Sequence, residues 1–261
     1  MMGFALGGAP ALSLFPVPEL VAQDAGELPL VEGAAPAPSD LYLRINLPAF
    51  ELDVIEDQER VRTYPVSLGQ LGYETHPGRY ESGRVEWNPW WYPPASPWAR
   101  GRSVTAPGPN NPMGRARIHL LDALYIHGSG EPMGDLLSHA CIRLTNEHVL
   151  ELARIVARHR LPDLPLEEIQ RYEARAGDTQ VHRLSEPLTV RVAYELLEER
   201  DGWLRALPDV YERGDAGALP WLRRLHPQVE LSDGEVAAWM ELATQEGRPV
   251  SLEEFQASGG R

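Results

Sequence analysis

The sequence predicts a sheet-based domain that carries a few helices and ends in a helical stretch. Three observations lead there. Short runs with alternating apolar residues stand at both ends of the central region: Leu41, Leu43 and Ile45 at one end, Val190, Val192 and Tyr194 at the other. Between them, residues 69–112 are dominated by Gly, Pro, Trp and Asn, a loop composition. Apolar residues at helical spacing follow residue 145 and recur over residues 213–261.

Taken in order, residues 1–40 hold Pro, Ala and Gly without a sustained period, as in "LPLVEGAAPAPSD". They are expected to form a leader and linker, signal-like in their apolar start but without a positive n-region. From Leu41, "LYLRINLPAFELDVIEDQERVRTYPVSLG" reads as three short strands, broken at Pro48 and at the charged turn Glu56 to Glu59. Residues 69–112, with "WNPWWYPP" and "APGPNNPMG", are expected to be loop-rich with brief strands, the kind of segment that carries function on a scaffold. "ALYIHG" is a short strand leading to His127 and Gly128. A helix follows Cys141, capped by Thr145 or Asn146, with Val149, Leu152, Ala153 and Val156 on one face. "LPLEEIQRYEARAG" is a second helix, and "LTVRVAYEL" returns to the sheet. Near the end, Ser232 with Glu235 and Ser251 with Glu254 match the capping-box pattern, and Val236, Trp239, Met240 and Ala243 form an apolar stripe.

Composition narrows the function classes. A chain of 261 residues with 43% hydrophobic content suffices for one large domain, or one domain with an appendage. A net charge of −14 argues against nucleic acid, whose phosphates require a basic patch. Every basic residue is Arg, so lysine Schiff bases and lysine general bases are excluded. No apolar run approaches the roughly 18 residues a membrane span requires.

The single cysteine, in "SHACIRL", excludes an intramolecular disulfide and leaves one thiol to explain. A lone free Cys is commonly a small buried hydrophobe. A nucleophile needs a partner that takes its proton or lowers its pKa, and both His127 and His139 precede it. A metal site of His139, Cys141 and His148 lacks the paired four-ligand spacing of structural zinc, and a redox thiol lacks a resolving partner. Ser129, in "HGSG", has the wrong order and context for a serine hydrolase. The neighbours have ordinary readings too: Arg143 as an ion pair, Ser138 as a cap, His119 and His148 as surface or core residues. Trp87, Trp90, Trp91 and Trp98 read as packing or as the wall of a groove. On residue types alone, the buried thiol and the nucleophile both stand.

The segment "YIHGSGEPMGDLLSHACIRLTNEHVLEL" resembles the signature of the L,D-transpeptidase catalytic domain, the YkuD family: a His-Gly pair, a loop, then Ser/Thr-His-Gly-Cys, an apolar residue and Arg or Asn. The similarity extends upstream through "RTYPVSLGQLGYETHPGRY", "NPWWYPP" and "APGPNNPMG", and downstream with "LTVRVAYE" and "LPDVYER" as closing strands. Four motifs stand in family order over residues 41–212.

The resemblance implies a mostly β sandwich with short helices and a site at one edge, occupying residues 41–212, with residues 213–261 as a helical C-terminal extension packed against it. It implies that Cys141 is the nucleophile, His127 its base, and Gly128 the carbonyl that orients the imidazole. His139, Ser138 and Ser129 shape the site, Arg143 faces a substrate carboxylate, and Ala140 and Cys141 offer backbone N–H groups to an oxyanion. The implied reaction joins peptidoglycan stem peptides through a thioester, without metal or cofactor, in the cell envelope, and is open to covalent inhibition by carbapenems. Water as acceptor would make an L,D-carboxypeptidase instead. Two departures stand out: the loop between His127 and Ser138 is a residue or two shorter than the commonest form, and Ala140 stands where the family has Gly, where a methyl costs on the order of 1 kcal/mol if that position needs φ > 0. That residue also motivates the competing reading, a non-catalytic envelope-binding module with a decayed site.

Overall fold

Alternation at the start of the domain builds a three-stranded meander in the computed structural model, which describes residues 41–214, 218–227, 232–246, 250–251 and 255. Strands β1 (Leu41–Asn46), β2 (Glu51–Glu56) and β3 (Glu59–Pro65) pair antiparallel in sequence. Asp57 and Gln58 both take positive φ, the mirror-image turn whose twist suits a two-residue hairpin. Readings that fall on residues 1–40, the leader and its signal-like character, lie outside the described residues.

Short β4 (Leu68–Gly69) leads into β5 (Gly78–Trp87), a strand of ten residues where brief strands were expected. Gly83 interrupts its pattern, and its partner strand bulges opposite it, with pairing resumed on both sides of the bulge. Beyond it, the loop over 88–112 is ordered by asparagines. Asn111 Nδ2 donates to the carbonyls of Pro89, Thr105 and Ala106, and Asn88 Nδ2 to those of Tyr172 and Arg175.

A further strand that the reading above did not assign, β6 (Ala116–Leu121), pairs with β7 (Leu124–Ser129). Then come β8 (Leu136–Ser138), β9 (Ile142–Thr145), helix α1 (Asn146–Arg160), α2 (Leu166–Ala174) and the long β10 (Gln180–Ala193). Thr145 Oγ1 caps α1 by accepting from His148 N–H, and the face with Val149, Leu152, Ala153 and Val156 is buried.

The eight-stranded sheet has the order β3-β2-β1-β10-β5-β6-β7-β9, with parallel pairing only at β1–β10 and β7–β9. Its inward side chains, among them Leu43, Ile45, Val54, Trp87, Ile118, Ile126 and Val190, form one core with α1. The fold is therefore mostly β, a sandwich-like core with short helices.

After Ala193 the chain departs from the sequence reading in two places. "LPDVYER", expected as a closing strand, is an irregular turn at Leu207–Arg213, because Pro208 lacks an N–H and Asp209 accepts from the N–H groups of Arg213 and Gly214. The C-terminal stretch is mixed: β11 (Leu197–Arg200), β12 (Trp203–Ala206) and β13 (Val250–Ser251) make a small sheet beside α3 (Ala218–Leu225) and α4 (Asp233–Glu246). Ser232 and Glu235 form the reciprocal capping box at α4. Ser251 lies in β13, and Glu254 lies outside the described residues. Leu197, Leu204, Leu222, Val236, Met240 and Phe255 make a second small core.

An arginine-carboxylate network ties that small sheet to β1 and β2. Arg44 pairs with Glu195 at 2.5 Å, Arg200 with Glu51 at 2.7 Å and Asp53 at 3.0 Å, and Arg205 with Glu198 at 3.0 Å. Asp53 and Glu198 are buried, which the surrounding guanidiniums make tolerable. Among the described residues no helix is long and apolar enough to cross a membrane.

Candidate active site

Backbone pairing at one end of the sheet brings the candidate residues together. Strands β7 and β9 run parallel with His127 opposite Arg143 and Ile126 opposite Ile142. Side chains two apart share a face, so Tyr125, His127, Cys141 and Arg143 emerge on one side, away from the core residues Ile126 and Ile142. The other edge of β9 is held as well, by Ser67 N–H donating to Arg143 O at 3.0 Å and Arg143 N–H to Ser67 O at 2.8 Å.

His127 is buried, and its Nδ1 lies 2.8 Å from Gly128 O. A carbonyl only accepts, so this bond puts the proton on Nδ1 and leaves the Nε2 lone pair free. Burial pushes the imidazole pKa down to about 4, against the raising effect of the Gly128 bond and with Arg143 and Arg117 adding to the lowering. Gly128 is required by close approach: a Cβ there would lie 2.4 Å from Asn146 Oδ1 and 2.9 Å from Val149 Cγ1. Asn146 Oδ1 in turn accepts from Arg115 N–H at 2.8 Å.

Cys141 stands one residue before β9 and is 9% exposed. Burial pushes its thiol pKa up, opposed by the backbone of Tyr125 and the positive charges of Arg143 and Arg117. The thiol donates to Ala123 O at 3.5 Å, as a protonated sulfur does. At rest the two groups are thus a neutral imidazole and a neutral thiol.

Ala140 has φ 75°, the left-handed conformation that favours glycine. The turn keeps that conformation with a methyl in place of the hydrogen. Side chains on both sides hold it. Ser138 Oγ donates to Cys141 O at 2.5 Å, and Thr75 Oγ1 donates to Ala140 O at 2.8 Å.

His139 does not join His127. Its ring is stacked on Trp98, with centroids 4.0 Å apart and planes 16° apart, and meets Tyr73 edge-on at 4.6 Å. Burial lowers its pKa, with Arg143 and Arg102 adding to the effect. Arg143 pairs with the exposed Glu131, and its own side chain is 18% exposed. Ser129 Oγ accepts from Glu131 N–H at 3.1 Å, so it shapes the turn that carries Arg143's partner. His148 lies instead against Tyr64, with ring centroids 5.2 Å apart, and among the described residues no group of three His, Cys, Asp or Glu side chains could hold a metal ion.

Sequence reading missed Arg117, which pairs with His127 across β6 and β7, lies over the Tyr125 ring at 4.7 Å and is neutralised by Glu86 at 2.7 Å. The polar alternation of Arg117 and His119 in "RARIHLL" was the available signal. It also missed Thr75, Tyr73 and Tyr211, whose roles follow from contacts distant in sequence.

Comparison with known proteins gives the family. Residues 40–182, more than half of the chain, match the family model of the L,D-transpeptidase catalytic domain. YqjB of Bacillus subtilis (strain 168) is 30% identical over 133 residues, 48% of this chain and 70% of that protein. YbiS of Escherichia coli (strain K12) is 34% identical over 96 residues, 33% of this chain and 31% of its length; both carry L,D-transpeptidase in their names. The crystal structure of L,D-transpeptidase 3 from Mycobacterium tuberculosis is similar at 16% identity, covering 59% of this chain and 61% of that one, with a TM-score of 0.38, too low to bear on individual residues. The chain thus spans less than two thirds of YbiS and of that structure.

Proposed function

The chain belongs to the L,D-transpeptidase catalytic-domain family, and on that premise we propose that it is a cysteine-dependent peptidoglycan L,D-transpeptidase working in the cell envelope. His127 Nε2 takes the proton of Cys141, and the thiolate attacks the carbonyl between the third, L-centred residue of a tetrapeptide stem and its terminal D-residue. The oxyanion meets the N–H groups of Ala140 and Cys141. As the C–N bond breaks, the leaving amine takes the proton from His127, the D-residue departs, and a thioester remains on Cys141. An amine of a neighbouring stem loses a proton to His127 and attacks the thioester, forming a 3–3 crosslink and restoring the thiol. Arg143, paired at rest with an exposed carboxylate, exchanges Glu131 for a carboxylate of the donor.

The observation that carries this reading is the Nδ1 bond of His127 to Gly128 O, on the strand that runs parallel to the one Cys141 precedes. It leaves a free imidazole lone pair on the same sheet face as the thiol. The positive φ of Ala140 supports a working site over a decayed one, because the turn a glycine would make is kept. The test is incubation with disaccharide-tetrapeptide and mass spectrometry of the products. Release of the terminal D-residue with a crosslinked dimer is expected, and its absence from Cys141→Ala. If the monomeric tripeptide forms without dimer, water is the acceptor and the enzyme is a carboxypeptidase. Equal product from both proteins contradicts the proposal.

A further inference from the structure

Thr75 is fully buried, and its hydroxyl and its N–H are both engaged. Its hydroxyl accepts from Gly69 N–H at 2.9 Å and donates to Ala140 O at 2.8 Å. Its N–H donates to Tyr211 Oη at 3.2 Å, and that hydroxyl donates to Gly69 O at 2.7 Å. Gly69 is thereby held at both its N–H and its carbonyl. Only glycine fits there, since a Cβ would lie 2.0 Å from Tyr73 O and 2.8 Å from Thr75 N.

Ala140 O belongs to the peptide unit whose N–H is that of Cys141. The unit is planar and trans, so its carbonyl and its N–H point in opposite directions. Fixing the first aims the second. The hydroxyl of Ser138 holds the next carbonyl, that of Cys141, so the chain is pinned on both sides of the sulfur's own Cα. These bonds hold Ala140 at φ 75°, a conformation that a residue with a Cβ adopts only against strain.

We propose that Thr75 is a positioning residue for acyl transfer, acting through Ala140 to aim the Cys141 N–H at the developing oxyanion, with Tyr211 bracing Thr75 and Gly69 from behind. This rests on Cys141 being the nucleophile. The hydrogen bonds of Thr75 reach neither Ala123, the sulfur's partner, nor His127. Loss of its hydroxyl therefore impairs the step that makes an oxyanion and spares chemistry that makes none.

The test compares two reactions of the same thiol in the full chain. Acylation by imipenem, followed by intact mass, passes through a tetrahedral oxyanion, whereas alkylation by iodoacetamide does not. Thr75→Val is expected to slow acylation about 10- to 100-fold, a fraction of what removal of an oxyanion donor costs, with the alkylation rate and its pH profile unchanged. With disaccharide-tetrapeptide, kcat falls and KM stays. Thr75→Ser, which keeps the hydroxyl, recovers most of the acylation rate. If Thr75→Val does not fold by circular dichroism, Tyr211→Phe gives a smaller loss with the same split. Equal slowing of both reactions, or unchanged acylation, overturns the proposal. A wild-type protein that is neither acylated nor active sinks the transpeptidase reading and this proposal together; an active wild type with an indifferent Thr75→Val sinks this one alone.

Discussion

His127 donates from Nδ1 to the carbonyl of Gly128, the next residue, at 2.8 Å, in a position where the ring is 1% exposed. The arrangement fixes the tautomer and resists a second proton. Its folded pKa of about 4 lies below the ordinary 6.5, so between those values the unfolded chain binds a proton that the folded chain does not. Stability is therefore present above pH 6.5 and lost as pH falls toward 4. The contribution is on the order of 3 kcal/mol over that window. Urea unfolding of wild type and His127→Asn from pH 7 to pH 4 checks this: the variant should lose distinctly less stability, and parallel curves would contradict it.

Ala140 at φ 75° predicts a gain from the family's own residue. Ala140→Gly removes the left-handed penalty of about 1–2 kcal/mol and adds unfolded-chain entropy, for a net stabilisation of about 0.5–1 kcal/mol. Ala140→Val, β-branched at positive φ, should destabilise. Denaturant midpoints at constant m-value measure both, and a less stable Ala140→Gly would show that the methyl packs rather than strains.

Gly69 predicts a steric effect with an internal control. A methyl there meets backbone at 2.0 Å, whereas at Gly83 it meets nothing within 4 Å. Gly69→Ala should cost about 1–3 kcal/mol or more, and Gly83→Ala should be neutral or slightly stabilising. Thermal melts of the two variants distinguish overpacking from a general intolerance of alanine.

Arg143 and Glu131 predict a split in kinetics. Their pair is exposed on the glutamate side, so it contributes about 0–1 kcal/mol to stability. Arg143→Ala should raise the donor KM about tenfold or more through loss of a charge-assisted bond, while Glu131→Gln leaves the fold intact and does not weaken donor binding. An Arg143→Ala protein with wild-type KM would make the pair purely structural.

How far the sequence could be read follows from the range of the forces involved. The β1–β3 meander, α1 and its buried face, and the capping box at Ser232 rest on spacing within a few residues, and they were legible. So was the family, because its motifs are local strings around His127 and Cys141. The strand β6 and the length of β5 and β10 were hidden, since Gly83 and polar residues break the period, while pairing to neighbours far along the chain resumes on both sides of the bulge. "LPDVYER" resembles the family's closing strand but folds as a turn, because Asp209 accepts from the N–H groups of Arg213 and Gly214. Thr75, Tyr211 and Arg117 reach the site through partners that are remote in sequence or sit on neighbouring strands, and no string of residues announces such contacts. The neutrality of the resting thiol and imidazole was equally unreadable, because burial sets it.

The central claim is that Cys141 forms a thioester with a peptidoglycan stem after His127 takes its proton. Rapid mixing with disaccharide-tetrapeptide, acid quench and intact-mass measurement tests it most directly. The account predicts a transient adduct on Cys141 equal to the donor less its terminal D-residue, absent in Cys141→Ala and formed far more slowly in His127→Asn. Release of the D-residue at the wild-type rate by either variant would contradict it.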